Sequence, residues 1–276
     1  MKTKEKPYLR VGNKRQMAEA TKQVTVVIPM YKPVPDPLER RALEQAYAVL
    51  GRYPLVVIHP RSLDLSAIRT EFPRLDYEAF DDIFFRGISG YNRLMLSPCL
   101  YERFLDSEYI LIYQLDAYVF RDELAGWCMK GYDYVGAPWL RKPVYRLPLI
   151  KQYMAFVRWW QHRTGHPSKQ DLYDKVGNGG LSLRRVASHL RILREEGGAR
   201  ATAFLERKGN HLYNEDVFWA TVPADFHYPE PMEALRFAFD KYPRYCYRLN
   251  DKRLPFGCHS WYKRKMRGFW KTIIQF

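Results

Sequence analysis

Cysteine is scarce in this sequence and never closely spaced. The four thiols, Cys99, Cys128, Cys246 and Cys258, form no C-x-x-C pair, which excludes a zinc knuckle and a disulfide scaffold and suits a reducing compartment. Long apolar runs are missing too. No stretch of 18 consecutive apolar residues is available to span a bilayer, and the first 20 residues are basic and polar, without the apolar core of a secretion signal. A cytoplasmic protein, soluble or attached to a membrane surface, is therefore expected. Acids are the third shortage. Asp and Glu number 30 against 45 Lys and Arg, a formal net charge of +15, so the charge balance favours an anionic partner: a phosphorylated ligand, an anionic lipid or a nucleic acid. Internal repeats and low-complexity tracts are also lacking.

Core-forming residues are plentiful. At 276 residues and 47% hydrophobic content, the chain can bury one large α/β domain and is not disordered. Residues 1–22 are Lys-rich and without periodicity, which reads as a basic flexible arm. Strand-like and helix-like patterns then alternate. Strands are expected over 24–29, 55–59, 75–80, 109–115 and 132–136, and helices over 37–50, 91–105 and 123–129. Asp36-Pro37 supplies a cap and a first-turn proline for the first helix, with Gly51 past its end. This alternation predicts a mostly parallel mixed sheet flanked by helices, with right-handed crossovers. Residues 140–175 break the rhythm with a basic, aromatic segment, read as an insertion on the acceptor or membrane side of the 23–262 domain. Residues 263–276 carry five cations and no acid. Their apolar residues recur at helical spacing, the pattern of a basic amphipathic tail on an anionic membrane surface or of a terminal helix docked on the domain; Trp159-Trp160 with Arg158 and Arg163 gives a second membrane candidate.

Four constellations carry the polar chemistry. The buried run over 109–115 stops at Asp116, where ligands of such sheets gather; the plain alternative is a helix cap. Gly177-Asn178-Gly179-Gly180 allows a close backbone approach to a ligand, or is simply a tight turn. Asn214-Glu215-Asp216 puts paired acids at a helix start, where they also serve the helix dipole. Gly257-Cys258-His259-Ser260-Trp261 presents an imidazole.

In order, Y-N-R-L-M (91–95), L-I-Y-Q-L-D-A-Y-V-F (111–120), D-Y-V-G-A-P-W (133–139), G-N-G-G-L-S-L (177–183), N-E-D-V-F (214–218) and G-C-H-S-W (257–261) resemble nucleotide-sugar-dependent glycosyltransferases of the GT-A fold. Among these the chain is most similar to a bacterial glycosyltransferase-like family of unknown function. The resemblance spans roughly residues 24–261 and rests on the ordered set. It implies transfer of a sugar from a nucleotide-sugar donor to a glycan or lipid-linked acceptor in cell-surface polysaccharide synthesis. The D-x-D motif that holds a divalent cation, Mn2+ or Mg2+, is matched by Gln114 and Asp116, so Asp116 is the one carboxylate of the motif. His259 matches the histidine that completes that metal site. Arg93 matches a basic residue lying against the donor. Pro29 and Tyr31 occupy the place of the base and ribose, and Gly179 and Gly180 flank the donor. Asp216, or Glu215 beside it, is the implied general base of an inverting reaction; likeness to glycogenin-type retaining enzymes leaves the stereochemistry open. Two rivals remain: a metal-dependent phosphohydrolase or nuclease using Asp116, Glu215 and Asp216, and an RNA-binding protein. The first lacks the histidine and acid pairs of two-metal sites, and the second lacks a nucleic-acid signature, so no nucleic-acid partner is expected.

Overall fold

The computed structural model describes residues 23–207 and 211–276; the expected arm over 1–22 lies outside the described residues. A six-stranded sheet runs through the molecule. It comprises β1 (Val24–Pro29), β2 (Leu55–Pro60), β3 (Leu75–Phe80), β4 (Tyr109–Tyr113), β6 (Tyr134–Gly136) and β7 (Leu181–Arg185), in the order β3-β2-β1-β4-β7-β6. The pairs β1·β2, β2·β3 and β1·β4 are parallel, and β7 runs antiparallel to both β4 and β6. Every residue of β1, β2 and β4 is buried, as unbroken β-branched and aromatic runs require when helices cover both faces. Alternate residues serve opposite cores: Leu111 and Tyr113 join Val26 and Ile28 on one face, while Ile110 and Ile112 join Val27 on the other.

Helix α1 (Pro37–Val49) starts as its sequence dictates. Asp36 accepts hydrogen bonds from the backbone N–H groups of Leu38 and Glu39, and Glu39 accepts from the Asp36 N–H at 2.9 Å, completing a capping box. The helix expected over 91–105 is instead two. Helix α2 (Gly87–Met95) stops, and a short helix (Pro98–Glu102) follows, because Pro98 forces Ser97 into an extended conformation. The strand expected to reach residue 115 ends at Tyr113. After a turn at Gln114–Asp116 the chain enters β5 (Ala117–Val119), which joins β8 (Ala238–Phe239) and β9 (Gly257–His259) in a second sheet of order β5-β9-β8.

Residues 140–175 include helix α3 (Pro148–Arg163), which buries no residue, and Glu215–Thr221 forms α4. Of the two expectations for the C-terminal segment, the described structure has the docked helix. Helix α5 (Arg264–Trp270) turns its apolar stripe inward: Trp270 and Ile274 are buried in a third core with Trp261, Phe239 and Leu235. Trp270 stacks on Phe120 at a centroid distance of 5.5 Å. Met266 and Phe269 pack partly against the same core, while Ile273 and Phe276 stay exposed at 39% and 37%.

Candidate functional site

A cavity of about 640 Å3 opens where the carboxyl ends of β1 and β4 meet α4 and β9, a volume suited to a small-molecule ligand. Pro29 and Tyr31 line it from the end of β1, Gln114 and Asp116 from the end of β4, and Gly179 and Gly180 from the approach to β7. Glu215 and Asp216 reach it from the first turn of α4, and His259 from β9. Folding thus brings together nine of the ten residues singled out in the sequence. Arg93 is the exception and is corrected here. It is exposed on α2 and absent from the cavity wall, whereas its neighbours Tyr91 and Asn92 line it. One step along a helix rotates a side chain by about 100°, so Arg93 projects elsewhere.

Two glycines are sterically required. A Cβ on Gly180 would sit 2.1 Å from His259 Nε2, and one on Gly179 would sit 1.9 Å from Glu215 Oε1. The Gly180 carbonyl also accepts the Gln114 N–H at 2.9 Å, tying the end of β4 to the start of β7. The glycines therefore seat the polar side chains of the cavity wall.

His259 and Asp116, far apart in sequence, meet with Nε2 2.8 Å from Asp116 Oδ1. The other ring nitrogen faces Asp240 Oδ1 at 3.3 Å and Ser260 Oγ at 3.1 Å. Lys263 Nζ lies 3.0 Å from Asp116 Oδ2, so a residue assigned by sequence to a membrane tail belongs to the site. Burial alone would raise the Asp116 pKa, but His259 and Lys263 hold it well below the usual carboxylate range. For His259, burial is outweighed by Asp116 and then Asp240, and its pKa rises to about 9.

The fit to a divalent cation can be judged from the same atoms. His259 Nε2 is buried and faces Asp116 Oδ1 at 2.8 Å, while Asp240 lies beside the opposite nitrogen as carboxylates orient metal-binding imidazoles. No group of three or more His, Cys, Asp or Glu positioned for a metal occurs among the described residues. Asp116 and His259 could hold a cation only as two ligands, with Lys263 released from Asp116 and the remaining positions supplied by ligand oxygens and water.

The two acids of α4 have different surroundings. Glu215 is buried against Arg184, with Oε2 3.0 Å from Nη2 and neither side chain reaching solvent. Arg184 also donates to Ser182 Oγ at 3.0 Å and the Tyr101 hydroxyl at 3.1 Å, and Asn92 Oδ1 accepts the Glu215 N–H at 3.1 Å. Glu215 is thus committed to a structural pair, which removes it as a free base. Among the described residues Asp216 pairs with no cation; its side chain accepts the Val217 N–H at 2.9 Å. Burial first, then the charge of Glu215, push its pKa up to about 7. Sequence reasoning missed Arg184, Asp240, Lys263 and Asn92. For Arg184, the signal was a cation at a core-facing strand position, which demands a buried acid; Asp240 had none.

Residues 74–259 match the family described as Protein of unknown function (DUF5672), well over half of the chain. The chain belongs to this family. Among solved structures, the member is similar to the galactosyltransferase LgtC in complex with donor and acceptor sugar analogs, at 13% identity and a TM-score of 0.55, covering 90% of this chain and 93% of that one. An active-site mutant of LgtC aligns at 14% identity and a TM-score of 0.53, over 87% and 90% of the two chains. No curated protein matches by sequence. These similarities establish that this family member has the GT-A fold of glycosyltransferases.

Proposed function

We propose that this chain transfers a glycosyl group from a nucleotide-sugar donor to a hydroxyl of a glycan or lipid-linked acceptor in cell-surface polysaccharide synthesis. One observation carries the reading: Asp216, with its pKa pushed up to about 7, lines the same 640 Å3 cavity as Asp116, His259 and Lys263. Such a cavity holds both anion-stabilising groups and a carboxylate tuned for proton transfer near neutrality.

The donor's base would stack on Tyr31, which is exposed at the cavity wall beside Pro29. Its diphosphate would lie against Lys263, which offsets the negative charge that grows as the glycosidic bond breaks. Asp116 and His259 would hold Mn2+ or Mg2+, which when bound supplies further positive charge to the diphosphate oxygens. In the transfer, the acceptor oxygen bonds to the anomeric carbon, the bond from that carbon to the diphosphate oxygen breaks, and its electron pair leaves with the nucleoside diphosphate. The hydroxyl proton passes to Asp216. Attack opposite the leaving group inverts the anomeric configuration. The four free cysteines, three of them buried, support a cytoplasmic setting.

Thermal unfolding with a panel of UDP-, GDP- and dTDP-sugars, with and without manganese, tests the reading. Stabilisation by one of them, increased by manganese, is expected; if none shifts the transition, the donor reading falls. Product analysis by NMR then tests the chemistry, since a retained anomeric configuration would remove Asp216 as base.

A further inference from the structure

Helix α3 has two contrasting sides. Ile150, Met154, Val157 and Gln161, at relative positions 0, 4, 7 and 11, are partly buried. Leu149, Tyr153, Phe156 and Trp160 repeat that spacing on another face and are 81%, 65%, 59% and 55% exposed, with Trp159 beside them at 56%. Five large apolar side chains on one solvated helix form a patch that a soluble surface ordinarily avoids. The helix is held in place from its other side: Asp171 pairs with Arg158 and His162 at 2.8 Å each, and Gln170 donates to the Met154 carbonyl at 2.7 Å.

Charge identifies the occupant. From residue 140 to 170 the chain has Arg141, Lys142, Arg146, Lys151, Arg158, Arg163 and Lys169 and no acid. Arg146, Lys151 and Arg163 are exposed and pair with no acid among the described residues. Tyr and Trp beside Lys and Arg suit the headgroup region, where the rings enter the acyl boundary and the cations meet lipid phosphates. The helix has 16 residues, and no helix among the described residues is long and apolar enough to cross a membrane.

We propose that α3 is a membrane-docking helix: its Leu149–Tyr153–Phe156–Trp159–Trp160 face lies in the surface of an anionic bilayer, with the adjacent cations against lipid phosphates. This is independent of the glycosyl-transfer reading, because none of these residues lines the cavity. Of the two amphipathic segments, α3 carries the larger exposed apolar face, since Trp270 and Ile274 of the C-terminal segment are buried.

Co-sedimentation of the full chain with vesicles is the test, using phosphatidylcholine alone and phosphatidylcholine mixed with phosphatidylglycerol. Binding to the mixed vesicles, weakened by added salt, is expected. Replacing Tyr153, Phe156, Trp159 and Trp160 by Ser should lower the partition coefficient at least tenfold, since interfacial affinity follows buried apolar area. Charge reversal by Arg146→Glu, Lys151→Glu and Arg163→Glu should reduce it by about fivefold per charge removed. All seven positions are exposed, so the variants should keep the wild-type melting temperature. Equal pelleting of wild type and the Ser variant would overturn the proposal, as would failure of the wild type to bind mixed vesicles. Concentration-dependent self-association that the Ser substitutions abolish, without vesicle binding, would assign the face to a second copy of the chain.

Discussion

Arg184 and Glu215 form an ion pair in the interior, 3.0 Å apart, at the junction of strand β7 and helix α4. The pair sets the character of the acid beside it, because the buried charge of Glu215 is the second cause, after burial, of the raised Asp216 pKa. A structural contact thus tunes the residue proposed to move the proton.

Breaking that pair should be costly. Glu215→Gln leaves Arg184 charged and uncompensated, and we predict a loss of about 3–5 kcal/mol of stability. Urea unfolding at pH 7 measures it; a loss below about 1 kcal/mol would mean that water or other groups solvate Arg184. In the surviving folded protein, Asp216 should also titrate lower, since a like charge beside it is gone.

Asp216→Asn is expected to abolish transfer while sparing donor affinity, the pattern of a group used in the transition state. In the wild type, transfer should rise with pH through about 7 and level off above it, as the carboxyl becomes a competent base. Stability should run the other way. The folded-state pKa is raised above the unfolded value near 4, so this group's stabilising contribution is complete below about 4 and lost as pH rises to about 7. At pH 8 the Asn variant should therefore be more stable than wild type by about 1–3 kcal/mol. A variant with near-wild-type transfer would reject the base, and an unchanged stability difference between pH 4 and pH 8 would reject the raised pKa.

Lys263 contacts Asp116 at 3.0 Å, which motivates a test of the anion-binding side. Lys263→Ala should weaken binding of a nucleoside diphosphate by roughly tenfold to a hundredfold, the range for one hydrogen bond to a charged group. Asp116→Asn should remove most of the manganese dependence of donor binding, with His259→Ala acting in the same direction more weakly. Calorimetric titration with and without manganese reads all three; wild-type affinity in Lys263→Ala and an unaltered metal effect in Asp116→Asn would refute these roles.

Trp270 is fully buried and stacked on Phe120, so Trp270→Ala should cost about 3–5 kcal/mol. Scanning calorimetry would show a lower melting temperature. An unchanged transition would mean that the C-terminal helix is a separable appendage.

The sheet was legible in the sequence because its signals are local. Uninterrupted apolar runs specify β1 and β4 whatever surrounds them, and Asp36, Pro37 and Glu39 cap α1 within a few residues of chain. The ordered motifs likewise brought Asp116, Gly179, Gly180, Asp216 and His259 into consideration, and these line one cavity. Arg93 failed because a motif match carries no helical phase, and the neighbouring Asn92 took the inward position. The destination of amphipathic segments could not be read locally either. Residues 263–276 and helix α3 both combine aromatic stripes with cations, yet one buries its stripe against the second sheet and the other leaves it in solvent. The pairings Arg184–Glu215, His259–Asp240 and Lys263–Asp116 join distant parts of the chain. Sequence determined the strands, the caps and the inventory of polar groups, since these follow from side-chain chemistry over a few residues. Tertiary structure decided which charges meet and which apolar faces find a partner, because those free energies depend on burial and distance between segments that only folding brings together.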